Sequence, residues 1–337
     1  MGHETKHRLV VVGNGMVGHR FLEELCDRAD SREYQITVFC AEPRRAYDRV
    51  HLSSYFSHHT SEELSLVKPG FYERHGIEVR LGEAVKQIDR AAQQVHSNKG
   101  STVSYDTLIL ATGSYPWVPP ITGAQHHECF VYRTIEDLKA IRAAAKQGKS
   151  GVVIGGGLLG LEAAGALKAL GLQTHVVEFA PVLMAEQLDR LGGEMLRRTI
   201  ESMGVQVHTS KQTQAIQMHT GKTAAHRLEF ADGSELEVDV VVFSTGIRPQ
   251  DTLARYGELA IAERGGIVID DHCRTADPHI YAIGECAAWH GRFFGLVAPG
   301  YKMAQVAVDH LLGGDSPLTG ADMSAKLKLL GVSAGPS

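Results

Sequence analysis

The sequence predicts an α/β protein built on two Rossmann-like dinucleotide-binding domains. Three observations carry that expectation. A strand-like run, a Gly-x-Gly-x-x-Gly turn and a helix start occur in VVVGNGMVGHRF (10–21) and again in GVVIGGGLLGLEAAG (151–165). Each is followed by a second apolar strand that ends in a glutamate. At 337 residues the chain is too long for one ordinary domain.

The first copy opens with RLVVVG, an unbroken apolar run of the kind that forms a parallel strand covered on both faces. Gly13 permits the tight turn, Gly15 lets backbone approach a phosphate, and Gly18 lets helix and strand pack closely. The helix beginning near Met16 directs its N-terminal dipole and N–H groups at a pyrophosphate. The next strand, YQITVFCAE, ends at Glu42, whose carboxylate can accept from the hydroxyls of an adenosine ribose. The second copy repeats this with Gly155, Gly157 and Gly160, and its strand LQTHVVEFAP carries Glu178. Phe179, Ala180 and Pro181 follow Glu178 with no arginine, so this site favours a free 2′-hydroxyl, and NADH over NADPH. Two dinucleotides on one chain imply one that stays and one that visits. NAD(H) visits, and the resident group able to take its hydride is FAD.

Further along, YDTLILATGSYPWVPPI ends a strand at Thr112 and Gly113, and DVVVFSTGIRPQ repeats the pattern at Thr245 and Gly246. HIYAIGECAAW supplies a short strand and then Gly284 and Glu285. GLVAPGYKMAQVAVDHLLG supplies a helix starting after Pro299-Gly300, whose N-terminus would stabilise negative charge on a reduced flavin. Each of these alone reads equally well as an ordinary strand and turn. Their order along the chain carries the weight.

Composition narrows the function classes. A net charge of −5 argues against a nucleic-acid binder, and no apolar run reaches the length of a membrane helix. The polar N-terminus is no secretory signal, and Lys6 argues against myristoylation at Gly2, so a cytoplasmic location is expected. The five cysteines (26, 40, 129, 273 and 286) form no metal- or cluster-binding spacing. His58–His59 and His126–His127 sit in polar stretches and read as surface residues, so no metal site is expected.

In this order the segments resemble the two-dinucleotide flavoprotein reductases of the pyridine nucleotide–disulfide oxidoreductase class. That resemblance implies an NAD domain inserted into an FAD domain. Residues 1–116 and 243–315 would form the FAD domain, 117–242 the NAD domain, and 316–337 a tail or the start of a further domain. More particularly, GNGMVGHRFLEEL, VFCAEPRRAYDRVHLSSYF, GGGLLGLEAAGALKALG, FAPVLMAEQLD, YAIGECA and GLVAPGYKMAQVAVDHLLG resemble the N-terminal part of large subunits in the NAD(P)H-dependent nitrite reductase family. The similarity covers nearly the whole chain.

The resemblance implies a diaphorase module: hydride from NADH to FAD, then single electrons to iron–sulfur and sirohaem centres in later domains. The sequence ends in a segment similar to the opening strand of the family's next domain, which reads as a fragment, a truncated product or a part of a larger protein. A one-electron acceptor domain or protein is the implied partner, with a homodimer possible. By resemblance, Gly13, Gly15, Gly18 and Glu42 hold the FAD adenosine diphosphate, Thr112 and Gly113 line its cleft, and Gly246, Gly284 and Glu285 belong to the cofactor sites. Arg49 lies near the flavin or its pyrophosphate. Gly155, Gly157, Gly160 and Glu178 hold the visiting nucleotide. Arg49 and Glu162 are the catalytic candidates, with Glu162 near flavin N5. Three departures stand out. No redox cysteine pair follows the first turn, and AYDRVHLSSYFSHH holds no cysteine. Glu285 stands where the wider class has aspartate. The lysine that usually pairs with the Glu162 carboxylate is replaced, at Ser54, leaving Arg49 or His51 as substitutes. Two other readings compete: a stand-alone rubredoxin or ferredoxin reductase, and a flavin-bound NADH-sensing protein.

Overall fold

The computed structural model describes residues 6–56, 60–218, 225–320, 327–329 and 332–334. His58 and His59 lie outside the described residues. The chain divides into two compact units. Residues 1–48, 64–115 and 248–324 form the first, and 49–63, 116–247 and 325–337 form the second. The main body of the second is thus inserted into the first.

The first unit is organised by a five-stranded parallel sheet in the order Ile280–Ala282, Thr107–Leu110, His7–Val12, Tyr34–Cys40, Glu78–Leu81. Runs such as LVVV and LIL form its central strands because both faces are covered: Leu9, Val11, Leu108, Ile109 and Leu110 are fully buried. The helix Met16–Arg28 lays Phe21, Leu22 and Leu25 on this sheet and packs beside the last helix, Val297–Leu311. That last helix begins three residues before the expected start, taking Pro299 and Gly300 into its first turns. Proline is tolerated there because a first-turn N–H has no intrahelical acceptor. A small antiparallel sheet, Val85–Asp89, Gln94–Ser97 and Thr102–Ser104, completes the unit.

The second unit repeats the plan with a parallel sheet ordered Gln206–His208, Gln173–Val177, Ser150–Ile154, Val240–Phe243, Cys129–Val131. Its core is separate, built on Val152, Val177, Val241, Phe243 and Leu228. The correspondence extends to single hydrogen bonds. Gly13 N–H donates to Phe39 C=O at 2.9 Å, as Gly155 N–H donates to Val177 C=O at 2.8 Å. Ala111 N–H donates to Val12 C=O, and Ser244 N–H to Ile154 C=O, both at 2.8 Å. An antiparallel sheet of Thr213–Met218, His226–Phe230 and Glu235–Val238 and a hairpin of Leu327–Leu329 with Val332–Ala334 are also counted with this unit.

The unit boundaries differ from those read in the sequence at two places. Residues 49–63 group with the second unit, because Phe56 stacks on Tyr132 and Arg142 lies over the Tyr55 ring. The first unit resumes at Arg248 rather than 243, because Val240–Phe243 is an interior strand of the second sheet. His126 also departs from expectation. Its ring stacks on that of His226, which is fully buried, whereas His127 stays exposed. Among the described residues no helix is long and apolar enough to cross a membrane.

Candidate dinucleotide sites

In the first unit the three glycines of the first turn do three different things. Gly13 sits at φ +110, and a Cβ there would lie 2.1 Å from the Ala111 carbonyl oxygen. A Cβ on Gly18 would lie 2.1 Å from the Gly13 carbonyl oxygen, so only glycine lets helix and turn approach this closely. Gly15 differs: a Cβ there meets nothing within 4 Å. It is the N-cap of the helix, in extended backbone, with no side-chain cap and no acidic residue in the first helical turn. An uncapped positive helix end beside open space is the arrangement a diphosphate requires.

The other candidates of this unit surround that turn or lie at the same sheet edge. The half-buried Glu42 follows the strand Tyr34–Cys40, and its carboxylate accepts from the Tyr47 hydroxyl at 2.8 Å. The Thr112 hydroxyl donates to the Gln250 carbonyl at 2.6 Å, and the Gly113 carbonyl, at φ +70, accepts from Gln250 N–H at 2.9 Å. Gly284 has φ +79, and its Cα face packs on Val17. Glu285 accepts from the Ser114 hydroxyl at 2.7 Å. Its neighbour Cys286 is fully buried, with Sγ 3.3 Å from the Leu110 carbonyl, and burial pushes its thiol pKa up, which makes it an inert packing residue. Cys40 is likewise buried, with Sγ 3.4 Å from the Arg44 carbonyl.

The second unit reproduces the turn. Gly155 at φ +119 would place a Cβ 2.1 Å from the Ser244 carbonyl oxygen, Gly160 one 2.0 Å from the Gly155 carbonyl oxygen, and Gly157 one in open space. Gly157 caps the helix Leu158–Ala169 without a side-chain cap and without an acidic residue in the first turn. Glu178 reaches the rim of the turn, one carboxylate oxygen accepting from Gly156 N–H and the other from Ala180 N–H at 2.7 Å. Each oxygen retains a second lone pair for a ribose hydroxyl. Phe179, next to it, is 72% exposed and offers an apolar face beside that carboxylate. Gly246, at φ +105, accepts from Trp117 N–H at 2.9 Å and also groups with this unit.

Glu162 projects from the second turn of that helix toward residues the sequence reading did not select. The Ser53 hydroxyl, rather than that of Ser54, lies 3.4 Å from Glu162 Oε2, while Ser54 donates to the His51 carbonyl at 2.6 Å. The short helix Leu52–Phe56 sets this one-residue correction by turning successive side chains to different sides. Arg49 is not the replacement for the lysine. Its guanidinium donates to the Arg133 carbonyl at 2.9 Å, within the second unit. The buried Tyr132 phenol has its pKa raised by burial and, further, by the nearby Glu162 charge, with Ser53 acting the other way. Ser53, Tyr132 and Ser114 carry no motif signal. The aromatic pair after Ser53, Tyr55-Phe56, is the one hint that this segment packs inward.

The chain spans less than half of the curated relatives it most resembles. A family model described as pyridine nucleotide-disulphide oxidoreductase matches residues 7–310. The nitrite reductase (NADH) large subunit of Escherichia coli (strain K12) is 66% identical over 98% of this chain and 39% of its own length. The nitrite reductase [NAD(P)H] large subunit of Klebsiella oxytoca is 56% identical over 97% of this chain and 34% of its own. Among solved structures, an NAD-dependent persulfide reductase from A. fulgidus superposes with a TM-score of 0.90 at 28% identity, over 97% of this chain and 63% of that one.

Proposed function

The chain belongs to the pyridine nucleotide-disulphide oxidoreductase family, and on that premise we propose that it is the NADH-oxidising flavin module of a nitrite reductase large subunit. The first unit holds FAD and the second binds NADH. The observation that carries the reading is the paired geometry of Gly15 and Gly157: each is an uncapped helix start whose missing side chain leaves open space beside the N–H groups.

Bound FAD supplies the capacity to accept a hydride and release electrons one at a time. The protein's own part is to hold and orient. Gly13 to Gly18 present backbone N–H groups and a helix dipole to the FAD diphosphate, and Glu42 receives its ribose hydroxyls. Gly155 to Gly160 do the same for NADH, with Glu178 repelling the 2′-phosphate that distinguishes NADPH. Glu162, held by Ser53, places a carboxylate and hydroxyl pair in the second unit for the nicotinamide end. The one-electron acceptor is an iron–sulfur or sirohaem centre lying outside this chain, and the longer relatives, of which this chain matches about two fifths, support that placement.

The test is an anaerobic visible titration of the FAD-reconstituted chain. Stoichiometric bleaching of the flavin band by NADH, with NADPH much less effective, is the expected result. A chain that retains no flavin, or a flavin indifferent to NADH, overturns the proposal. Rapid saturable reduction of rubredoxin by this chain alone would instead make it a self-contained reductase.

A further inference from the structure

Asn14 lies between the first two glycines of the first turn, at a position the Gly-x-Gly-x-x-Gly pattern leaves unspecified. Its side chain turns into the protein and the residue is only 4% exposed. The Tyr72 hydroxyl donates to Asn14 Oδ1 at 3.0 Å, and the same hydroxyl oxygen lies 3.4 Å from Nδ1 of His19. His19 is 2% exposed on the helix that the turn opens, with its ring edge-on to Tyr72 and Phe71 at centroid distances of 5.8 and 5.1 Å. The Arg45 guanidinium lies 5.4 Å over the Tyr72 ring. A buried chain of contacts therefore runs from the turn, through Tyr72 on the short helix Phe71–Arg74, and back to the helix Met16–Arg28.

Two features distinguish this chain from ordinary packing. Asn14 Nδ2 is buried with no partner, and a buried amide paired at one end only contributes little net stability. Its neighbours are glycines, one at φ +110 and one in extended backbone, so the peptide planes on either side of Asn14 have no Cβ at those neighbours to restrict them. Those planes carry N–H groups of the diphosphate turn. A side-chain tie at the residue between them fixes what the glycines leave loose.

We propose that Asn14, Tyr72 and His19 form a buried latch that sets the first phosphate turn, making Tyr72 a positioning residue for the FAD diphosphate. This rests on the reading of the first turn as the FAD site. Tyr72 acts through Asn14 and touches no cofactor.

The experiment uses the deflavinated chain, with FAD affinity from flavin fluorescence and stability from thermal unfolding, for Tyr72→Phe, Asn14→Ala and the double variant. Each single variant weakens FAD binding about tenfold, on the order of one hydrogen bond's worth of positioning, and the double variant weakens it no further. Stability follows a different course. Tyr72→Phe strands the buried Asn14 carbonyl and lowers the melting temperature, whereas the double variant removes both polar partners and recovers it. Affinity that stays low while stability recovers is the signature of positioning. If FAD affinity recovers with stability, or never changes, the latch is overturned. A wild-type chain that does not bind FAD at all would instead sink the reading of the first turn. Should Tyr72→Phe alone not fold, the double variant decides.

Discussion

At the scale of the residue, a carboxylate and a missing methyl set what each turn can hold. Glu178 is anchored by two backbone N–H groups, so its charge is fixed at the rim of the second turn rather than swinging in solvent. Glu178→Arg should move the NADH-to-NADPH ratio of kcat/KM toward NADPH by about tenfold or more, because it replaces repulsion of a phosphate with attraction. Steady-state kinetics with both coenzymes measures this, and an unchanged ratio would show that Glu178 does not meet the ribose. Ser53 shows the limit of reading residues singly. The position equivalent to a lysine was assigned to Ser54, yet the helical turn at Leu52–Phe56 brings its neighbour to Glu162. A serine in place of a lysine also removes a cation from beside that carboxylate, which changes what the pair can do to a bound ring.

At the scale of the element, the strand–turn–helix repeat separates glycines that serve folding from those that serve binding. Gly155 lies at φ +119 with the Ser244 carbonyl in the space of its absent Cβ. Gly155→Ala should therefore cost ~3 kcal/mol, the sum of an unfavourable backbone and a forced shift of the neighbouring strand. Gly157 has nothing within 4 Å of its absent Cβ. Gly157→Ala should change stability by less than about 1 kcal/mol while weakening NADH binding, because the methyl group intrudes only on the ligand side. Thermal unfolding and an NADH binding isotherm on both variants check the contrast. If the two variants lose stability alike, the division of labour is wrong.

At the scale of the whole molecule, neutral buried histidines couple the fold to pH. Burial is the leading cause that lowers the pKa of His19, His175, His208, His226 and His310, with His175 brought down to about 4. These imidazoles are neutral in the native state, whereas in the unfolded chain they take up protons below about pH 6.5. Their contribution is whole above that pH and is lost as pH falls, for His175 down to about pH 4. The melting temperature should therefore decline from about pH 6.5 downward, and His175→Gln should flatten part of the decline. A profile unchanged by that substitution would remove His175 from the account. How much of this was legible beforehand varied with the range of the interaction. Both turns, their glycines, the two sheets' central strands and the terminal glutamates were readable because each depends on the local alternation of apolar run, glycine and helix start. The position of His226 under His126, the transfer of residues 49–63 to the second unit and the Tyr72–Asn14 tie depend on partners distant in the chain, which no local pattern encodes. The sequence by itself determined that two dinucleotide turns exist, because a glycine's missing side chain is a covalent fact. Only the tertiary structure decided which side chains back those turns, because that follows from packing between segments that meet only when the chain is folded.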